Sequence, residues 1–199
     1  MIIKDVSVLI ETDMPVWPGD DPVKLYRRNK IEDGKNANVS FLALSVHTGT
    51  HVDAPYHFIL EGTSVEKISM DLLIGEVQVI EIPDEVKAID SQALKNAGIQ
   101  QGITRVLCKT ANSKYWEKGV KEFKKEFVAI NDDGAKWLVD FGIKTIGIDY
   151  LSIATFGNSR PAHVTLLSAK ALVIEGLNLT DTDPGIWMMY CLPLKLKGS

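Results

Sequence analysis

Three of the four histidines in this chain lie close together in HTGTHVDAPYH (47–57), with Asp53 between the second and third. Imidazole nitrogens and a carboxylate oxygen are ligands for zinc or manganese at sites that keep a coordination position open for chemistry. The spacing supports that reading. On a strand, positions at even offsets share one face, so His47, His51 and Asp53 are expected to point the same way. Gly49, flanked by threonines and followed by Pro55, argues against a helical H-x-x-x-H arrangement. His57 falls beyond Pro55, displaced from the other three. It is open to two roles, a fourth ligand or a proton shuttle beside the metal, and the shuttle is favoured because a coordinated ring does not move protons freely.

The fourth histidine, His163, precedes Glu175 in the apolar run ALVIEGL (171–177). Carboxylates are seldom buried without a partner, and a cation is one. His163 and Glu175 are therefore expected to bring a second pair of ligands to the cluster. The runs that must position these residues have strand length and β-branched content: 6–10, 41–47, 76–82, 104–110, 144–150 and 171–177. Helices are expected over 91–98, with Asp90 as N-cap and Gly98 at the end; over 132–142, after Asn131; and over 164–171, just after His163. Strands dominate the first 85 residues, whereas helices and strands alternate afterwards. The expected fold is α/β: one domain spanning 1–199, with a mixed sheet and flanking helices.

Composition narrows the function. The chain has 199 residues, 45% hydrophobic and 24% charged, with a formal net charge of -4. That balance gives no polyanion-binding surface, so nucleic acid is not an expected partner. The most basic stretch, 114–127, mixes five lysines with three glutamates and spaced aromatics, the pattern of a solvated face over an apolar one. No run of 18 apolar residues occurs, nor a signal-peptide pattern at the N-terminus, so a cytoplasmic protein without a membrane span is expected. Cys108, in TRVLCKT, reads as a reduced core thiol. Neither cysteine lies near the histidines, which disfavours a structural zinc site.

The motif HTGTHVDAPYH resembles the HxGTHxDxPxH signature of the cyclase family of metal-dependent hydrolases, which includes bacterial kynurenine formamidases (arylformamidases) and isatin hydrolases. MPVWPGDDP (14–22), GIDYLSI (147–153) and HVTLL…IEGLNL (163–179) extend the resemblance over nearly the whole chain. It implies a swivelling β/β/α fold, with one or two zinc or manganese ions per chain. His47, His51 and Asp53 would bind the first ion; Asp53 and Glu175 would bridge toward a second, completed by His163. His57 would be the catalytic acid and base, and Trp17 would contact the substrate or else pin its loop to the core. The implied activity is hydrolysis of a C–N bond other than a peptide bond, in a small-molecule amide, with N-formylkynurenine of tryptophan catabolism first among candidates. A cyclic imide or lactam, as for isatin hydrolases, and metal-dependent binding without turnover are the alternatives. The resemblance also implies a homodimer or homotetramer.

Overall fold

The computed structural model describes residues 2–199. Its strands in chain order are β1 (Lys24–Asn29), β2 (Val39–Ala43), β3 (His51–Asp53), β4 (Ile74–Glu81), β5 (Ala88–Ile89), β6 (Arg105–Lys109), β7 (Ala129–Ile130), β8 (Thr145–Ile148), β9 (Leu172–Glu175) and β10 (Gly185–Tyr190). The helices are α1 (Ser91–Asn96), α2 (Ser113–Glu117), α3 (Asp132–Phe141) and α4 (Arg160–Ser168). Six strands form the central sheet in the order β10-β4-β6-β8-β9-β3. The inner neighbours β4, β6, β8 and β9 pair in parallel, and the two outer strands, β10 and β3, pair antiparallel. The architecture is the mixed-sheet α/β domain expected.

Both faces of the sheet are covered, which explains why its inner strands are near-continuous apolar runs rather than alternating ones. On one face Val106, Cys108, Ile146, Ile148 and Val173 pack against Leu94, Leu138, Leu166 and Leu167 of α1, α3 and α4. On the other, Val77, Val79, Leu107 and Ile174 form a smaller cluster with Leu177, Leu179, Val6 and Trp187. Cys108 is fully buried and unpaired, and burial pushes its thiol up, as expected of an inert core residue.

Local signals placed two helices closely. The Asp90 carboxylate accepts the Ala93 N–H at the start of α1, and the Asn131 amide oxygen accepts that of Gly134 at the start of α3. Gly142 ends α3 with φ of 95°, in the left-handed region. Three expectations are corrected. Residues 6–10 form no strand beyond one isolated bridge between Ser7 and Leu177. The expected strand 41–47 is displaced to β2, where it pairs only with β1 in a separate hairpin. The last helix begins at Arg160, with Pro161 in its first turn, so His163 lies inside α4 rather than before it. The β1–β2 hairpin, α2 and β10 carried no pattern strong enough to be expected. Among the described residues no helix is long and apolar enough to cross a membrane.

Candidate metal centre

β3 is the short edge strand that carries the motif. It lies antiparallel to β9 with His51 directly opposite Glu175 and Asp53 opposite Val173. Opposed residues share a face, so His51, Asp53 and Glu175 all point to the helical side, where Val173 joins the core. α4 crosses that face and lowers His163 onto the same spot; the side chain is 3% exposed. His47 arrives differently from the expectation. It sits in a turn before β3, not on the strand, because Gly49 takes a φ of 71° and breaks the extended run. Strand alternation therefore aligns His51 with Asp53 only, and a turn returns His47 to them. His57 follows on a single 3-10 turn, Pro55–His57.

All five expected ligands and His57 converge. His47 Nδ1 lies 3.0 Å from Asp53 Oδ1 and 3.1 Å from His51 Nε2. His51 Nε2 lies 3.5 Å from Asp53 Oδ1 and 3.6 Å from Glu175 Oε2. His163 Nε2 lies 3.2 Å from Glu175 Oε1 and 3.5 Å from Asp53 Oδ2. His57 Nε2 is 3.8 Å from Asp53 Oδ2. Two ligand sets share Asp53: His47, Asp53 and His57, and His51, Asp53 and Glu175. His57 thus stands within ligand distance as well as beside the cluster, and its side chain is one-third exposed.

Whether a cation fits can be judged from the polar atoms. Asp53 is completely buried, and neither of its carboxylate oxygens has a hydrogen-bond partner of acceptable direction. A buried carboxylate that faces imidazole nitrogens without a well-directed hydrogen bond is costly, and a divalent cation among them offsets that cost. The imidazoles are oriented for the same purpose. His51 Nδ1 is 3.0 Å from the Gly49 carbonyl and His163 Nδ1 is 2.8 Å from the Ser159 carbonyl. A carbonyl only accepts, so each Nδ1 carries the hydrogen and each Nε2 offers its lone pair to the centre. The Ile153 N–H donates to Glu175 Oε1 at 2.7 Å, holding that carboxylate in place. Phe58 stacks on the His163 ring at 4.4 Å and meets His57 edge-on at 4.5 Å. The donor set is nitrogen and oxygen only, which suits zinc or manganese.

With no cation among them, these groups divide the charge through protons. Burial opposes charge on His51, but Asp53 and Glu175 outweigh it and push the ring up to about 9. The same balance pushes His163 up to about 10. Burial alone would raise Asp53; contacts with His163, His47 and His51 hold it well below the usual carboxylate range. His57 goes the other way. Burial, with charge on the neighbouring histidines, outweighs Asp53 and lowers it to about 4.

A cavity of about 500 Å³ opens onto His47, His51, Asp53 and His57. Its walls are apolar, with Ile10, Leu42, Leu44, Val46, Leu194 and Leu196 among them, and no lysine or arginine among the described residues lines it. Ile10, Leu42, Leu44 and Val46 come from runs expected as strands, and only the fold brings them together with Leu194 and Leu196. Trp17 does not line this cavity; it packs edge-on against Phe123 at 5.3 Å and lies 5.5 Å from Phe156.

This geometry matches what comparison with known proteins finds. The Cyclase family model matches residues 4–155. The chain belongs to the cyclase family. Cyclase-like protein 2 of Oryza sativa subsp. japonica is 37% identical over 205 residues, 99% of this chain and 75% of that protein. The kynurenine formamidase of Geobacillus thermodenitrificans (strain NG80-2) is 34% identical over 194 residues, 96% of this chain and 90% of that protein. A solved structure described as a potential metal-dependent hydrolase with cyclase activity superposes with a TM-score of 0.82 at 34% identity, over 98% of this chain and 91% of that one. The buried nitrogen and oxygen donors of this chain are of the kinds that metal-dependent chemistry requires.

Proposed function

We propose that this chain hydrolyses a small-molecule amide, with an aryl formamide such as N-formylkynurenine as the first candidate. The reading is carried by Asp53, whose two buried, unpartnered oxygens sit among the nitrogens of four histidines beside an open cavity. Its 34% identity to a kynurenine formamidase supports the choice of amide. His47, His51, Asp53, His163 and Glu175 would hold one or two zinc or manganese ions. When bound, the metal supplies Lewis acidity, polarising a carbonyl and generating hydroxide near neutral pH.

The chain's own residues do the rest. Gly49 O and Ser159 O hold His51 and His163 in the ligand tautomer, and Ile153 N–H fixes Glu175. His57 Nε2 is neutral at pH 7, so it can take a proton from the attacking water and return it to the departing nitrogen. The apolar cavity walls exclude competing water and receive the aryl group. Trp17, packed with Phe123 and Phe156 outside the cavity lining, fits the other role considered for it, that of pinning its loop to the core.

A second reading has its own support. The largely apolar cavity walls suit a neutral ring as well as an aryl formamide, which makes a cyclic imide or lactam the alternative substrate. The test is elemental analysis of the purified protein followed by turnover of N-formylkynurenine, simple aryl formamides and cyclic imides. About two equivalents of zinc or manganese with formamide turnover support the first reading, and imide turnover alone supports the second. A metal-loaded protein inert to every substrate overturns both in favour of a binding protein, and failure to bind metal after reconstitution overturns the centre itself.

The assembly proposed is a homodimer or homotetramer. A two-stranded ribbon such as β1–β2 is marginal alone, and here it leaves Leu25, Tyr26, Val39 and Leu42 exposed. The outer face of β10 likewise exposes Met188 and Tyr190. Light scattering that returns a monomer at micromolar concentration would remove this proposal.

A further inference from the structure

The metal reading leaves a mechanical question: what holds β3 in register? It is three residues long and lies at the sheet edge, with β9 as its single neighbour. A slip of one residue would turn His51 and Asp53 to the opposite face. The backbone ladder over three residues is a weak guard against that.

The side chain of Thr50, immediately before β3, extends the ladder. Its hydroxyl donates to the Gly176 carbonyl at 2.6 Å and accepts the Val8 N–H at 2.9 Å. Gly176 follows Glu175 at the end of β9, so the bond lies one step beyond the His51–Glu175 pair. Three remote segments are thereby tied at one oxygen. The fit around it is close. Gly176 has φ of 69°, and a Cβ there would stand 2.1 Å from the Gly49 carbonyl oxygen. That same oxygen accepts His51 Nδ1–H. A Cβ on Gly49 would fall 2.4 Å from Ile10 Cδ1, so that side chain would have to shift to admit one.

We infer that Thr50 is a positioning residue for the metal centre: its hydroxyl, clamped between Gly176 O and Val8 N–H, pins His51 opposite Glu175. Gly176 is the other half of the device, because only a residue without Cβ lets β9 approach the carbonyl that orients His51. The inference rests on the metal reading above, and its test is separable from it.

Thr50→Val keeps the volume and the β-branch but removes the hydroxyl; Thr50→Ser keeps the hydroxyl. Zinc affinity is measured by chelator competition, and the cobalt-substituted protein is examined by visible absorption. Thr50→Val is expected to lose about 10–100-fold in metal affinity, the usual effect of removing a group that orients a ligand, and to shift the cobalt spectrum. Thr50→Ser is expected to match the parent in both. Denaturation of the metal-free variants reports stability separately, since a hydroxyl serving packing alone would lower stability and leave affinity and spectrum unchanged. Equal zinc affinity in Thr50→Val and the parent overturns the inference while leaving the metal centre standing. A parent that binds no zinc overturns the metal reading instead. Should Thr50→Val fail to fold, Gly176→Ala, which displaces the Gly49 carbonyl from the other side, must lower metal affinity and shift the cobalt spectrum; unchanged values there overturn the inference.

Discussion

Metal binding by this chain should release protons, and their number follows from the structure. Without a cation, His51 is pushed up to about 9 and His163 to about 10, so both rings are charged at pH 7. To offer Nε2 as a ligand each must lose its proton. At 1.36 kcal/mol per pH unit, that costs about 3 kcal/mol for His51 and about 4 kcal/mol for His163 at pH 7. Both side chains are under one-tenth exposed, so solvent screens little of this. Between pH 7 and pH 8.5 the affinity for zinc should rise about 100-fold per pH unit, and binding at pH 7 should release about two protons per chain. Titration calorimetry in buffers of different ionisation enthalpy counts them. The sign for stability is opposite. Both folded-state values lie above the ordinary histidine value of 6.5, so their contribution to the metal-free protein is complete below pH 6.5 and disappears as pH rises through 9–10. Proton release near zero at pH 7, or an affinity flat from pH 7 to 8.5, would refute this account of the cluster's charge.

Other outcomes are equally definite. His57→Ala should retain metal and lose turnover by about 10²–10⁴-fold, the range for general acid–base catalysis; full turnover would leave His57 without a role, and loss of metal would place it in the ligand set. Asp53→Asn keeps the shape of the side chain but removes the charge that both ligand sets share, so elemental analysis should find the protein without metal, and unchanged metal content would exclude Asp53. Leu138→Ala, in the fully buried core of α3, should cost about 2–5 kcal/mol in denaturant unfolding and leave the zinc affinity of the folded protein unaltered.

Much of the centre was legible because it is local chemistry. Histidine, aspartate and glutamate declare their donor atoms wherever they stand, and the clustering of His47, His51, Asp53 and His57 survives any fold that keeps 47–57 compact. The caps Asp90 and Asn131 were legible for the same reason, since each hydrogen-bonds within three residues. The Gly49 turn is not legible in the sequence because a glycine between threonines is compatible with extended backbone, and its left-handed φ of 71° appears only in the fold. The start of α4 was missed because Pro161 opens a helix whose apolar periodicity becomes visible only later.

The sequence by itself determined which residues could hold a metal, that the chain forms an α/β domain, and that its central strands are buried. Only the tertiary structure decided that His163 and Glu175 meet the motif, since their approach depends on β9 pairing with β3 and on α4 crossing the sheet. It also decided the apolar cavity, whose walls join Ile10, Leu42, Leu44 and Val46 to Leu194 and Leu196. The division is physical. Ligand chemistry, helix caps and the carbonyl-held histidine tautomers are written within a few neighbouring residues, whereas strand register and the Thr50 clamp arise between segments up to 126 residues apart, which meet only when the whole core has formed.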